Sequence, residues 1–332
     1  MEESRNPYPF RIFSRPDKVV QPLLNNVVNL LGVELGKTVF KEFKNGEFLP
    51  YHDESIRDCD VDLFLQPRYG NKEILSYDLD LMESMVMAFK QGSPNRITVI
   101  IPCLPYARQD RSTNYREPVL VQKIPMRLQM AGADRIVTLR LHNPSSYNAH
   151  SSTIRIENIP TKKLFIKHVL SKGFDMQKFK IVAPDAGADS ECRILAKELG
   201  IPNNIIILNK IHDNTGVSEV EIMNVIGDPA DYNCIVFDDM ADTCGTASKA
   251  FKALKDEGAL DIYFAAVHPI LSGEAIENMA KVNFKEIWFS DTCDWGNKQN
   301  QIKNLDIISA ATLISKVIEN LHNGGSLTDL SK

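Results

Sequence analysis

Asn233-Cys234-Ile235-Val236-Phe237 runs directly into Asp238-Asp239-Met240-Ala241-Asp242-Thr243-Cys244-Gly245-Thr246, and this stretch decides how the rest of the chain is read. The first five residues form a short, nearly continuous apolar run, the pattern of a strand buried on both faces of a parallel sheet. From Ala247 to Glu257 apolar residues return at helical spacing. The loop between them has two chemically distinct ends. Its end suits a phosphomonoester: the Thr243 and Thr246 hydroxyls, the free N–H groups of a first helical turn and the helix dipole all favour an anion. Gly245 lets a backbone approach closely. Its acidic start is harder to explain, because neighbouring carboxylates repel one another unless they face hydroxyls or a divalent cation. Ribose hydroxyls would supply the first and magnesium the second. The plainer alternative is an acidic turn with an ordinary helix cap.

The same strand-then-helix unit recurs outward in both directions. Strands are expected at Phe10–Phe13, Thr38–Phe43, Asp60–Gln66, Arg96–Ile101 and Arg135–Leu139, then at Phe179–Val182, Ile205–Leu208, Cys234–Phe237, Tyr263–Val267 and Glu286–Phe289. Helices are expected at Ile74–Gln91, Val119–Ala131, Glu191–Leu199, Ala247–Glu257, Glu274–Ala280 and Ala310–Asn320. This alternation implies an α/β fold of two doubly wound domains with mainly parallel sheets. The pattern changes near Ile159–Thr161, which sets the expected domains at 1–158 and 159–308, with the helical tail 309–332 packing back on the first. Ligands of such sheets bind at the carboxyl ends of the strands. The loops to inspect are therefore Pro102–Arg111, His142–Ser152, Pro184–Asp189, Asn209–Val217 and Asp238–Thr246.

Composition narrows the class. The chain has 332 residues, 43% hydrophobic and 24% charged, which suits a soluble globular protein of two ordinary domains. A formal net charge of −5 argues against a nucleic-acid binder, so any phosphate must be gripped locally. The six cysteines show no C-x-x-C pair and no metal-ligand spacing, and are expected to be reduced thiols of a cytoplasmic protein. The polar start MEESRNPYPF does not resemble a signal peptide, and no apolar run has membrane-spanning length. Gly32-Val33-Glu34-Leu35-Gly36-Lys37-Thr38 mimics a phosphate-binding Walker A loop but is one residue short between its glycines. It also leads from helix to strand, the reverse of the required order. It reads as a helix C-cap glycine followed by a turn.

Asp-Asp-x-x-Asp-Thr-x-Gly-Thr after an apolar strand resembles the phosphoribosyl-diphosphate loop shared by type I phosphoribosyltransferases and ribose-phosphate diphosphokinases (PRPP synthetases). Tyr106-Ala107-Arg108-Gln109-Asp110 separates the two classes, because it matches the PRPP-synthetase signature and single-domain phosphoribosyltransferases lack it. Ala131–Arg135, Pro184–Gly187, Val225–Asp228, Leu271–Gly273 and Leu321–Gly324 extend the resemblance across nearly the whole chain.

The resemblance implies magnesium-dependent transfer of the β,γ-diphosphoryl group of ATP to the C1 hydroxyl of a phosphorylated ribose. ATP would be bound by Phe43, Asn45, Glu47, Arg108, Gln109 and Asp110, on loops from neighbouring subunits of a homohexamer built from dimers. Asp238 and Asp239 would hold the ribose hydroxyls, and Asp242, Thr243, Cys244, Gly245 and Thr246 would wrap the 5-phosphate. Magnesium would be held by His142 and Asp185. Lys210, at the opening of a mobile loop, would be catalytic, with His212 near the sugar phosphate.

Departures from the family pattern cluster around this site. Asn45 stands where the family has Asp, Arg140 where it has Asp, and His212 where it has Arg. Asn143–His150 replaces the usual Gln-Ile-Gln-Gly-Phe-Phe stretch. Three readings stay open: a PRPP synthetase acting on ribose 5-phosphate; the same transfer to a larger acceptor that presents a ribose 5-phosphate group, such as ADP-ribose; and a non-catalytic regulatory homologue. Retention of Lys210, His142 and Asp185 weighs against the last.

Overall fold

The computed structural model describes residues 8–17, 21–112, 114–146, 154–185, 187–212 and 221–331, without the side chains of 210–212, 221–222 and 331. The chain divides into two compact units. The first comprises Met1–Thr161, Thr292–Asp294 and Ala310–Lys332, and the second Lys162–Asp291 and Trp295–Ser309.

The first unit carries β1 (Phe10–Ser14), β2 (Thr38–Glu42), β3 (Phe48–His52), β4 (Asp60–Phe64), β5 (Arg96–Ile100), β6 (Arg135–Leu139) and β7 (Arg155–Ile159). Its sheet has the order β1-β4-β5-β6-β7 and is parallel throughout. Val61, Leu63, Ile97, Val99 and Ile136 from these strands pack with Met82, Met85, Val86 and Phe89 of the helix Lys72–Gln91. The expected strand at Thr38–Phe43 exists but lies outside that sheet. It forms a separate antiparallel hairpin with Phe48–His52. The reason is visible in its side chains: Lys41 and Glu42 are exposed, whereas an interior parallel strand needs two apolar faces.

The helix Pro22–Leu31 ends at Gly32 in the left-handed conformation (φ 66°), so the first glycine of the Walker-like stretch is a C-cap. The second, Gly36, lies under the Phe13 ring, and a Cβ there would collide with it. The terminal helix Ala311–Asn323 packs on Pro22–Leu31 within the same unit. Nearby, the fully buried Arg15 donates to Asp17 at 2.6 Å and to Asp78 at 2.7 Å, and Arg68 also reaches Asp78 at 2.6 Å.

The second unit carries β8 (Phe179–Ala183), β9 (Ile205–His212), β10 (Glu221–Ile226), β11 (Asn233–Ala241), β12 (Ile262–Pro269), β13 (Ile287–Ser290) and β14 (Leu305–Ile308). The order is β10-β9-β8-β11-β12-β13-β14, parallel except for β10, which runs antiparallel to β9. β11 lies between β8 and β12, and every residue of β12 is buried. Among the described residues, no helix is long and apolar enough to cross a membrane.

Candidate active site

β11 is longer than the apolar run suggests. Pairing with β12 continues through Asp238↔Ala266, Met240↔His268 and Ala241↔Pro269, so the acidic pair belongs to the strand rather than to the loop. The parallel ladder supplies partners that a lone strand could not. The Asp239 N–H donates to Asp238 Oδ1 at 2.8 Å. Asp238 is raised from the ordinary carboxylate value to about 8, first by loss of solvent, then by the facing charge of Asp239, with Asp185 adding to it. Asp185 follows β8, and its Oδ1 accepts the N–H groups of Gly187 (2.9 Å) and Ala188 (3.0 Å), fixing the entry to the helix Asp189–Glu198. Among the described residues, the other oxygen of Asp185 has no hydrogen bond. Three carboxyl groups thus gather at the carboxyl ends of adjacent strands, at a cost that a cation or vicinal hydroxyls would relieve.

The loop beyond is braced by residues distant in sequence, among them Leu271 and Ser272 of a segment that also carries the family resemblance. Ser272 Oγ donates to Asp242, and the N–H groups of Leu271 and Ser272 reach Ala241 O (2.9 Å) and Asp242 O (3.1 Å). Asn278 Nδ2 donates to Thr243 O at 3.0 Å, while Ser248 Oγ donates to Asn278 O at 2.7 Å. These contacts cross 30 or more residues of sequence, so no local pattern announces them. The helix Gly245–Asp256 starts without a side-chain hydrogen bond from its N-cap residue Cys244, and a helix N-terminus favours an anion. The left-handed residue here is Cys244 (φ 58°), not a glycine. Burial, with Asp242 and Asp238 nearby, pushes its thiol up to about 12, so it stays an inert thiol. Gly245 has a negative φ, and a Cβ there would find its nearest atom, Thr243 Oγ1, at 3.7 Å. Among the described residues, nothing demands glycine at that point.

In the first unit, Phe43, Asn45 and Glu47 form the tip of the β2–β3 hairpin. Phe43 N donates to Glu47 O (2.8 Å), Gly46 turns the chain at φ 88°, and Asn45 Oδ1 accepts the Glu47 N–H (3.2 Å). Phe43 is 47% exposed, which rules out a core role at the strand end. Arg108 and Gln109 are exposed on the loop after β5, while Asp110 is half-buried. Partial burial would raise the Asp110 carboxyl, but hydrogen bonds from Asn143 (2.6 Å) and Ser146 (3.0 Å) outweigh it and hold it below the usual range. His142 is exposed beyond the carboxyl end of β6, so it is not a buried structural histidine. Arg140, which stands where the family has Asp, adopts φ 38° and donates from Nη1 to Leu141 O at 2.9 Å.

One expectation needs correction. Lys210 does not open a loop: β9 continues through His212, with Lys210 opposite Met223 and His212 opposite Glu221 on the antiparallel β10. The reason is again a distant partner, since β10 completes the ladder. The side chains of Lys210 and His212, residues 213–220, and Tyr147–Thr153 lie outside the described residues, as does Ala186 beside Asp185. His142 belongs to the first unit and Asp185 to the second.

Comparison with known proteins gives a consistent result. Residues 11–132 match the N-terminal domain of ribose phosphate pyrophosphokinase, and residues 208–332 match the phosphoribosyl synthetase-associated domain. The chain is 33% identical over 313 residues to a ribose-phosphate pyrophosphokinase of Staphylococcus saprophyticus, covering 93% of this chain and 94% of the relative. It is 34% identical over 322 residues to that of Staphylococcus epidermidis, with the same coverage of 93% and 94%. The crystal structure of phosphoribosylpyrophosphate synthetase from Mycobacterium smegmatis superposes with a TM-score of 0.83 at 27% identity, covering 96% of this chain and 100% of that one.

Proposed function

Because the chain belongs to the ribose-phosphate pyrophosphokinase family of diphosphotransferases, we propose that it transfers the β,γ-diphosphoryl group of ATP to ribose 5-phosphate, giving PRPP and AMP. The sugar C1 oxygen bonds to the β-phosphorus, the bond from that phosphorus to the α–β bridging oxygen breaks, and AMP leaves with that oxygen. The hydroxyl proton passes to solvent.

The observation that carries this reading is Gly245. It opens a helix whose N-cap residue makes no side-chain cap, beside a cluster of carboxyls, and among the described residues it has neither a backbone nor a packing reason to be glycine. A phosphate seated on the helix N-terminus supplies the reason. Asp238 and Asp239 take the ribose hydroxyls, and Asp242 to Thr246 surround the 5-phosphate. Phe43, Asn45 and Glu47, with Arg108 and Gln109, receive the adenine nucleotide. Asp185 offers a carboxylate oxygen of the type that magnesium prefers, and His142 is an exposed imidazole. Magnesium, when bound, would neutralise and orient the diphosphate charge. Lys210 adds a cation where charge builds during transfer. With all six cysteines buried and free, the protein suits the reducing cytoplasm.

The deciding assay measures AMP release from ATP and magnesium with ribose 5-phosphate or with ADP-ribose. AMP is expected with ribose 5-phosphate. Release with ADP-ribose alone would transfer the reading to the larger acceptor, and no release with either would defeat it.

A further inference from the structure

The Asp110 carboxylate is half-buried and hydrogen-bonded while its neighbours are exposed. Its Oδ2 accepts both Asn143 Nδ2 at 2.6 Å and Ser146 Oγ at 3.0 Å, whereas Arg108 and Gln109 are exposed. The orientation of the Asn143 amide follows from its own bonding. Asn143 Oδ1 takes the Ser145 N–H at 3.2 Å, so the nitrogen is the atom left to meet the carboxylate. The loop backbone is held on the other side by Gln109 N to Tyr106 O and Val121 N to Gln109 O, both at 3.0 Å. Asp110 therefore ties the loop after β5 to the loop after β6 through a charge-assisted bond, the stronger kind.

We propose that Asp110 and Asn143 form a positioning pair, in which Asp110 touches no nucleotide but anchors the loop that presents Arg108 and Gln109 to it. The replaced segment Asn143–Ser146 then sets how the nucleotide is gripped, although it does not reach the nucleotide itself. This rests on the nucleotide-binding role given above to Arg108 and Gln109. A planar guanidinium grips phosphate through paired N–H bonds whose geometry tolerates little displacement, so loosening its anchor weakens binding more than it alters the transfer step.

Asn143→Asp isolates the pair. It keeps an acceptor for the Ser145 N–H but sets a second carboxylate against Asp110. Titration calorimetry with magnesium and ATP, in the absence of acceptor, should show affinity falling roughly tenfold, in line with loss of one charge-assisted hydrogen bond. KM for ATP should rise in parallel, with kcat at saturating ATP changing less than about threefold. The exchange Asp110→Asn with Asn143→Asp rebuilds one amide–carboxylate bond in the opposite sense, and should return affinity to within about threefold of the parent. Unchanged affinity in Asn143→Asp would overturn the proposal. So would an exchange variant that binds ATP no better than Asp110→Asn alone, because the carboxylate itself would then be a nucleotide contact. A parent protein that binds ATP yet releases no AMP would count against the proposed activity and leave the anchoring result standing. A parent that binds no ATP would defeat both.

Discussion

Replacing Asp238 by asparagine tests the electrostatics on which the ribose-phosphate site depends. The carboxyl is raised from 3.8 to about 8, chiefly by loss of solvent and then by Asp239 and Asp185. The folded chain therefore keeps a proton that the unfolded chain releases near the ordinary carboxylate value. The resulting stability is fully present below that value and is lost as pH rises toward about 8. Within that window the slope is roughly 1.4 kcal/mol per pH unit. The residue is half-buried rather than fully enclosed, and halving the slope for screening leaves a loss of roughly 2 kcal/mol between about pH 5 and pH 8. Asparagine imitates the protonated acid at every pH, so Asp238→Asn should lose this dependence and become the more stable protein at the alkaline end. Urea unfolding followed by tryptophan fluorescence suits the measurement, because both tryptophans, Trp288 and Trp295, lie in the same unit as Asp238. Stability curves of parent and variant that run parallel from about pH 5 to pH 8 would refute the reasoning. Adding magnesium and ribose 5-phosphate should reverse the order, because the proposed ligands favour the ionised acid that the variant lacks.

Other changes probe the remaining argument. Lys210→Ala should cut AMP release at least ~1,000-fold while ATP affinity by calorimetry stays within a few fold; near-normal turnover would refute its catalytic role. Asp78→Ala removes a partner from the buried Arg15 and should cost roughly 3–5 kcal/mol in urea unfolding, with a loss under about 1 kcal/mol counting against a structural ion cluster. Gly36→Ala should cost roughly 1–3 kcal/mol without changing ATP affinity, since that glycine serves the Phe13 ring and not a phosphate.

Much of the parallel framework was legible in the chain because its strands are short runs apolar on both faces. Those of β6, β11 and β12 stand out from their neighbours without any knowledge of partners. Other elements lacked that contrast. β3 contains Pro50 and ends in a histidine, and Pro usually demotes a strand, yet it completes the hairpin with β2. β7 is only partly buried and was hidden in the change of pattern taken as the domain boundary. β10 owes its place to antiparallel pairing with β9, and β14 to pairing with β13 at the sheet edge. The helix Lys162–Ser171 was likewise absent from the expected elements, and Pro22–Leu31 was expected only as the helix that Gly32 caps.

The candidate site shows the same division. The sequence by itself determined which residue types meet at the end of one buried strand: paired acids, hydroxyls and a glycine leading into a helix. These follow one another along the chain, so strand geometry alone brings them near a single point. The fold decided how far the strand runs, and so placed Asp238 and Asp239 on it, with Asp238 partly desolvated. It also supplied Ser272 and Asn278 to brace the loop, and set Asp110 against Asn143. The physical reason is that hydrogen bonds and desolvation depend on neighbours in space. The chain names its reactive groups locally, but their protonation and orientation are set by residues that only folding brings alongside.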